Sequence, residues 1–335
     1  MITLDGSHGE GGGQILRSSL ALSLATGTPV TLTHIRARRP RPGLQRQHLT
    51  AVRAAAQIGN AQIQGDHLGS TDLVFEPGVV RPGTYEIRIG SAGSTSLVLQ
   101  TLLPVLLRAD GPSDLILEGG THNPGAPPFP FLEAAFLPAL RLMGYRVTAR
   151  LERPGFYPVG GGRIHVHVDP AGTMQPLDLG TRPSITGIHA QALYVGLPRE
   201  IAERELAVLN QRLPLTEARS TEVRHAPGQG NVVVVEIRSD LGSQVFSGFG
   251  VRGITAEDVA EGVAQAALAY LATRASVEEH LADQLLLPMA LGRGGRFHTT
   301  KPSTHTETQI ETIERFLKVR PTVTPLGSGT WSLTL

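Results

Sequence analysis

His8-Gly9-Glu10-Gly11-Gly12-Gly13-Gln14-Ile15-Leu16-Arg17 places one carboxylate just before three consecutive glycines and one guanidinium just after them, at the mouth of an apolar, helix-like stretch. A glycine loop feeding a helix N-terminus presents free backbone N–H groups and a positive dipole end, the chemistry that holds phosphate. The string has neither the Gly-Lys-Ser/Thr ending of a P-loop nor the Gly-x-Gly-x-x-Gly spacing of a dinucleotide fold. Two readings stand side by side: phosphate or nucleotide binding, and a tight turn that suits only glycine.

Four further stretches carry candidate chemistry. Arg36 to His48 joins a strand to a helix and holds five arginines among prolines, a loop able to grip a nucleic-acid backbone or simply to face solvent. Gly90-Ser91-Ala92-Gly93-Ser94-Thr95-Ser96 opens a helix that carries Gln100, where Ser94 or Thr95 serves as cap. Gly119 to Pro128 is a long, proline-stiffened loop of the kind that lines sites on a rigid scaffold. In Lys301-Pro302-Ser303-Thr304-His305-Thr306-Glu307-Thr308-Gln309, Thr306-x-x-Gln309 matches a capping box with Ile310, Ile313, Phe316 and Leu317 behind it. The spacing predicts a helix over Glu307–Leu317 with His305 immediately before it. An imidazole there meets phosphate together with helix N–H groups, and near pH 7 it is largely neutral and able to attack phosphorus. A lone histidine before a helix equally fills a structural or solvent role.

Metal chemistry reads weakly. His165 and His167 share a strand face without an evident third ligand, and read as a solvent-facing pair. Glu10 beside the glycines better suits a hard divalent ion shared with phosphate oxygens.

Composition bounds these options. The 335 residues are 40% hydrophobic and 18% charged, an ordinary globular balance, with a net charge of +1. Cysteine is absent, which excludes disulfides, thiolate nucleophiles and cysteine zinc sites. Lys301 and Lys318 are the only lysines, so 28 of the 30 basic residues are arginine, the planar fork suited to phosphate and carboxylate. No run is long and apolar enough to cross a bilayer, and the N-terminus lacks signal-peptide character, so the expected address is the cytoplasm.

Positioning such residues falls to a recurring unit. Ile2–Leu4, Gln14–Ala25, Val30–Ile35 and Arg46–Ile58 read as strand, helix, strand and helix, followed by short strands near Ala61–Gln64 and Asp72–Glu76. The order restarts with Tyr85–Ile89, Ser94–Arg108, Asp114–Glu118, Phe129–Met143, Tyr145–Leu151 and Arg163–Val168. A third βαβαββ pass ends the chain with Glu278–Leu291, Gly295–Thr300, Glu307–Leu317, Thr322–Pro325 and Thr330–Leu335. It is interrupted by strands Ile185–Tyr194, Asn231–Arg238 and Ser243–Gly248 and helices Arg199–Gln211 and Ala256–Arg274. The expected fold class is α/β (α+β): a large domain of three βαβαββ repeats, residues 1–181 and 276–335, with a smaller α/β domain, residues 182–275, inserted in the third. The alternative is one irregular α/β fold.

Taken in order, HGEGGGQILRSSLALS at 8–23, RPGLQRQHLTAV at 41–52, GSAGSTSLVLQTLLP at 90–104, GGTHNPGAPP at 119–128, RPGFYPVGGG at 153–162, EEHLADQLLLPMAL at 278–291 and KPSTH at 301–305 resemble the RNA 3′-terminal phosphate cyclase family. The resemblance covers essentially the whole chain and agrees with the repeat reading. It implies a cytoplasmic ligase-class enzyme that converts an RNA 3′-phosphate to a 2′,3′-cyclic phosphodiester with ATP, through a histidine–AMP and an RNA(3′)pp(5′)A end. His305 aligns with the nucleophile. Gln100 and His280, Leu281, Ala282, Asp283 and Gln284 align with ATP contacts, and Glu10 with a ligand of Mg²⁺ or Mn²⁺. Arg17, Arg36, Arg39, Gln47 and His48 are the candidates for phosphates of ATP or of the RNA end.

Three positions depart from the family pattern. His122 stands where an acidic residue is common, Gln309 where an asparagine often follows the nucleophile by four, and Lys301 where a histidine can precede Pro-Ser. Non-catalytic relatives of the fold lack the nucleophilic histidine, which this chain has. Enolpyruvyl transferases share the repeat but bind anions with lysines and arginines, of which lysine is nearly absent here. A pure RNA-binding protein needs neither ATP nor His305.

Overall fold

A computed structural model describes residues 1–335. The first unit comprises β1 (Ile2–Asp5), α1 (Gln14–Thr26), β2 (Val30–Thr33), α2 (Arg46–Gly59), β3 (Gln62–Gln64) and β4 (Leu73–Glu76). Its sheet runs β1-β2-β4-β3, with β1 and β2 parallel and the other pairings antiparallel. The second unit has β5 (Thr84–Arg88), α3 (Thr95–Leu106), β6 (Ser113–Gly119), α4 (Phe129–Phe131), α5 (Leu137–Leu142), β7 (Arg146–Arg153) and β8 (Gly162–Asp169). A π-type turn at Leu132–Phe136 joins α4 to α5, and the sheet order β5-β6-β8-β7 repeats the first pattern.

The third unit opens with β9 (Leu177–Leu179), a three-residue strand that sequence periodicity does not reveal. A different sheet then intervenes: β10 (Ile185–Val195), α6 (Arg199–Arg212), β11 (Glu217–Glu222), β12 (Gly230–Ser239), β13 (Gly242–Phe249) and α7 (Ala256–Leu271), in the order β11-β10-β12-β13. The unit resumes with α8 (Glu279–Leu291), β14 (Gly295–Thr299), α9 (Thr304–Leu317), β15 (Thr322–Gly327) and β16 (Thr330–Thr334). Phe297 of β14 pairs in parallel with Leu179 of β9, which completes the order β9-β14-β16-β15. The fold class is α/β, and no helix is long and apolar enough to cross a membrane.

Side-chain alternation explains the layering. In β6 and β8 every second residue is buried, so one face meets helices and the other meets solvent. Helix α1 is different: Gln14 to Leu24 are all buried, since Leu, Ala and Ser let neighbours approach on every side, and α1 packs against α2, α3 and α9. It ends at Gly27, whose φ of 66° is the left-handed conformation that closes a helix. Sixty-three buried hydrophobic residues form the main core. A separate cluster of 19 lies entirely between Ile188 and Ala275. The opposite face of that intervening sheet gives Val195, Val232, Val234 and Val245 to the main core.

Candidate active site

Five helix N-terminal regions converge, and each brings polar side chains on its first turns. Gln14 and Arg17 stand on α1, Gln47 and His48 on α2, Gln100 on α3, Asp283 on α8 and His305 on α9. The segment before α1 adds Glu10, and the loop before α2 adds Arg36 and Arg39. Gly13 shows why this approach needs glycine: a Cβ there would lie 2.6 Å from His48 Nε2 and 2.8 Å from Arg17 Nη1. The tight-turn reading of the glycine segment holds at Gly9 and Gly11, which take positive φ.

Helix α9 starts earlier than its sequence pattern predicts. Ser303, not Thr306, is the cap: its Oγ accepts the Thr306 N–H at 3.3 Å. Ser303-x-x-Thr306 thus displaces Thr306-x-x-Gln309, which frees Thr306 and Gln309 to be buried on the face toward the core. His305 consequently sits within the first turn rather than before it.

The ring of His305 is held by Gln14, with Nδ1 2.5 Å from Gln14 Oε1. The amide nitrogen of Gln14 faces two acceptors, Asp283 Oδ2 and Gln309 Oε1, each at 3.4 Å. Gln309 Oε1 also accepts from Ser18 Oγ at 2.5 Å. With acceptors fixing the nitrogen side of the Gln14 amide, its oxygen must face His305, so Nδ1 carries the proton and Nε2 keeps the lone pair. Burial, aided by Arg17, His280 and Arg39 and opposed by Glu10, holds the His305 pKa below its usual value.

Around it lies a basic cluster. Arg17 is nearly buried, and its Nε donates to Gln100 Oε1 at 2.7 Å. Burial lowers its pKa to about 10, against Glu10 and Asp283, which leaves it charged. Arg39 pairs with Glu10 Oε2, while Glu10 Oε1 accepts the Gln14 N–H at 3.0 Å. Burial pushes the Glu10 carboxyl up, but that N–H, Arg39 and His305 outweigh it and keep the group ionised. Burial and the arginines 36, 17 and 39 push His48 down to about 3, so its ring is neutral, and its buried Nδ1 has no partner in the chain. Burial raises Asp283 to about 7.

Other expected site residues lie differently. Arg36 Nη1 donates to the Gly43 carbonyl at 2.9 Å and braces its own loop. Gln47 Oε1 accepts the Ser94 N–H at 2.6 Å, tying α2 to the loop before α3. That loop is sewn to the Gly119–Pro128 loop by the Thr95 N–H to Gly120 O bond and by Asn123, which donates to Ala92 O. Leu281 and Ala282 are core side chains, His280 is largely exposed, and Gln284 donates to Asp283 Oδ1 at 3.1 Å. His122 is buried against Phe156, ring centroids 5.0 Å apart. Burial alone lowers its pKa to about 4. Gln14, Ser18 and Thr308 (which accepts the Glu10 N–H at 3.2 Å) are site residues that the sequence pattern did not single out.

No group of three His, Cys, Asp or Glu side chains forms a self-contained metal cage. His165 and His167 both bond to Asp114 Oδ1 on the neighbouring strand, at 2.8 and 2.9 Å. Glu10, with a side chain only 6% exposed beside three arginines, offers one carboxylate. That suits a hard cation sharing its shell with phosphate oxygens and water. The arrangement sets a neutral imidazole among guanidinium groups and helix N-termini, a combination whose chemistry suits phosphate groups.

Comparison with known proteins covers every residue of this cluster. The profile of the RNA 3′-terminal phosphate cyclase family matches residues 8–323. The RNA 3′-terminal phosphate cyclase of Koribacter versatilis is 48% identical over 321 residues, 95% of this chain and 90% of the relative. That of Pseudomonas fluorescens is 50% identical over 329 residues, 98% and 95% of the two chains. The chain therefore belongs to the RNA 3′-terminal phosphate cyclase family.

Proposed function

We propose that this chain converts an RNA 3′-phosphate into a 2′,3′-cyclic phosphodiester, with ATP as co-substrate and His305 as the covalent nucleophile. The observation that carries the reading is the His305–Gln14 bond, which engages Nδ1 and leaves Nε2 as the lone-pair nitrogen of a ring that feels the charges of Arg17 and Arg39. A ribose 2′-hydroxyl cannot displace oxide from a phosphate monoester, so the terminal phosphate must first acquire a leaving group. His305 Nε2 attacks the α-phosphorus of ATP, the bond to pyrophosphate breaks, and a phosphoramidate to AMP remains. The RNA 3′-phosphate oxygen then takes the adenylyl group, giving RNA(3′)pp(5′)A and freeing the imidazole. The 2′-hydroxyl finally attacks the activated 3′-phosphorus, loses its proton and expels AMP.

Positioning and charge neutralisation carry such transfers. Arg17 and Arg39 serve the phosphates directly, Gln100 aims Arg17, and neutral His48 supplies a hydrogen-bonding ring without adding charge. Arg36 and Gln47 act through their loops. Asp283 and the backbone of 280–284 face ATP. Glu10 would hold Mg²⁺ or Mn²⁺, which when bound neutralises phosphate charge. Residues 1–181 and 276–335 form the catalytic domain and 182–275 an inserted one; the separate 19-residue core supports that division.

Incubation with ATP labelled at the α-phosphate and a divalent cation is expected to give acid-labile, alkali-stable label on the protein, abolished by His305→Ala. Normal labelling of that variant would sink the assignment. RNA ending in a 3′-phosphate is expected to be cyclised, and RNA ending in a 3′-hydroxyl to be left unchanged.

A further inference from the structure

The only tryptophan of the chain lies outside the cluster just described. A cavity of about 690 Å³ opens between α9 and the β15–β16 hairpin, lined by Lys301, Pro302, Arg320, Pro321, Val323 and Trp331. That volume falls in the range of small-molecule sites and accommodates a nucleotide. Lys301, Arg320 (whose Nη1 pairs with Glu314 Oε2), rigid prolines and a half-buried indole are the parts from which single-stranded nucleic-acid sites are made.

The cavity adjoins the nucleophile. Lys301 and Pro302 lead directly into the Ser303 cap of α9. Glu311, another lining residue, lies 2.6 Å from His8 Nε2, in the segment that carries Glu10. His305 and Gln309 face α1, whereas Glu307 and Glu311 line the cavity from the opposite side of the same helix, as a 3.6-residue period dictates. A strand held at His305 would have to pass the N-terminus of α9, beside Lys301, to enter the cavity. The two glutamates give acceptors for ribose hydroxyls or base amino groups.

We propose that this cavity receives a nucleotide upstream of the 3′-terminal one, its base stacked on Trp331 and its backbone phosphate between Lys301 and Arg320. Every base has a π face, so the subsite selects strand length and not sequence. The proposal rests on the cyclase reading, and it predicts an advantage for RNA long enough to span both places.

Trp331 is its own probe. The full chain without ATP is titrated with a 3′-phosphorylated uridine hexamer and, separately, with a 3′-phosphorylated dinucleotide, while tryptophan emission is followed. The hexamer is expected to change the emission saturably and the dinucleotide to leave it unaltered. In steady-state cyclisation, the kcat/KM advantage of the hexamer over the dinucleotide is expected to fall about tenfold in Trp331→Ala and to return in Trp331→Phe. Cyclisation of both substrates with no hexamer effect on emission overturns the subsite alone. Saturable quenching by ATP, with none from the hexamer, gives the cavity to the co-substrate and also overturns it. Cyclisation of neither substrate overturns the cyclase reading, and the subsite with it.

Discussion

With Asp283 and Gln309 on its nitrogen side and His305 on its oxygen side, the Gln14 amide fixes its own orientation and the histidine tautomer together. Gln14→Ala is expected to slow protein adenylylation about 10- to 100-fold, the scale on which losing an orienting partner affects a working imidazole. Its folding midpoint in urea should change far less. On the proposed mechanism, the lowered pKa of His305 governs the pH dependence of labelling. Protonation removes the Nε2 lone pair, so the labelling rate stays flat above the ordinary imidazole range and falls only below it. Gln14→Glu adds negative charge beside the ring, and its acid limb is expected at higher pH; an unmoved limb would show that another group titrates. Glu10, Arg17 and His305 stand out in the sequence because their residue types advertise chemistry, and the fold brings them into one cluster. Gln14 does not stand out, since an amide next to glycines means little until a contact 291 residues away gives it a role. Leu281 and Ala282 show the reverse: they lie inside a legible motif, yet face the core.

Helix ends decide where those residues stand. Thr306-x-x-Gln309 reads as the cap in the sequence, yet Ser303 caps α9, and Thr306 and Gln309 are buried. Ser303→Ala is expected to cost about 1 kcal/mol in denaturant unfolding and to lower adenylylation as well, because the first turn carries the proposed nucleophile His305. Strand β9 escaped notice for a different reason. Three residues show no period, and its partner β14 lies beyond the intervening sheet. In that sheet, α6 buries Glu205, whose Oε2 accepts from Asn231 Nδ2 at 2.8 Å while Oε1 has no partner. Burial raises its pKa to about 7. Below the ordinary carboxylate value both folded and unfolded states hold the proton, and nothing is lost. As pH rises towards 7 only the unfolded state releases it, so stability declines, on the order of 3 kcal/mol at most, and then levels off. Glu205→Gln is expected to flatten this slope in urea unfolding measured between pH 5 and 8. A slope equal to that of the parent would place the titration elsewhere.

At the scale of the molecule, three sheets of one topology carry the helices whose N-termini meet, and a fourth sheet ties into them where Gln244 on β13 accepts the Glu278 N–H at the start of α8 at 2.8 Å. The repeat was legible because helices and strands keep their two periods in each unit. Convergence of the three units on one cluster was not, since it depends on helix packing between α1, α3, α8 and α9. The fourth sheet is two-faced: one face covers the 19-residue core, and the other gives Val195, Val232, Val234 and Val245 to the main core. A fragment of residues 182–275 is expected to show native-like circular dichroism but to self-associate in size-exclusion chromatography through those valines. A fragment that stays monomeric at all concentrations would show that this face does not need covering. The bond between Gln14 on α1 and His305 on α9 has a consequence for biosynthesis. Chains are made from the N-terminus, so glycine segment, arginine loop and both complete units leave the ribosome before His305 has been translated. On the proposed mechanism, a chain terminated before His305 holds the arginine cluster without the attacking imidazole and is expected to consume no ATP.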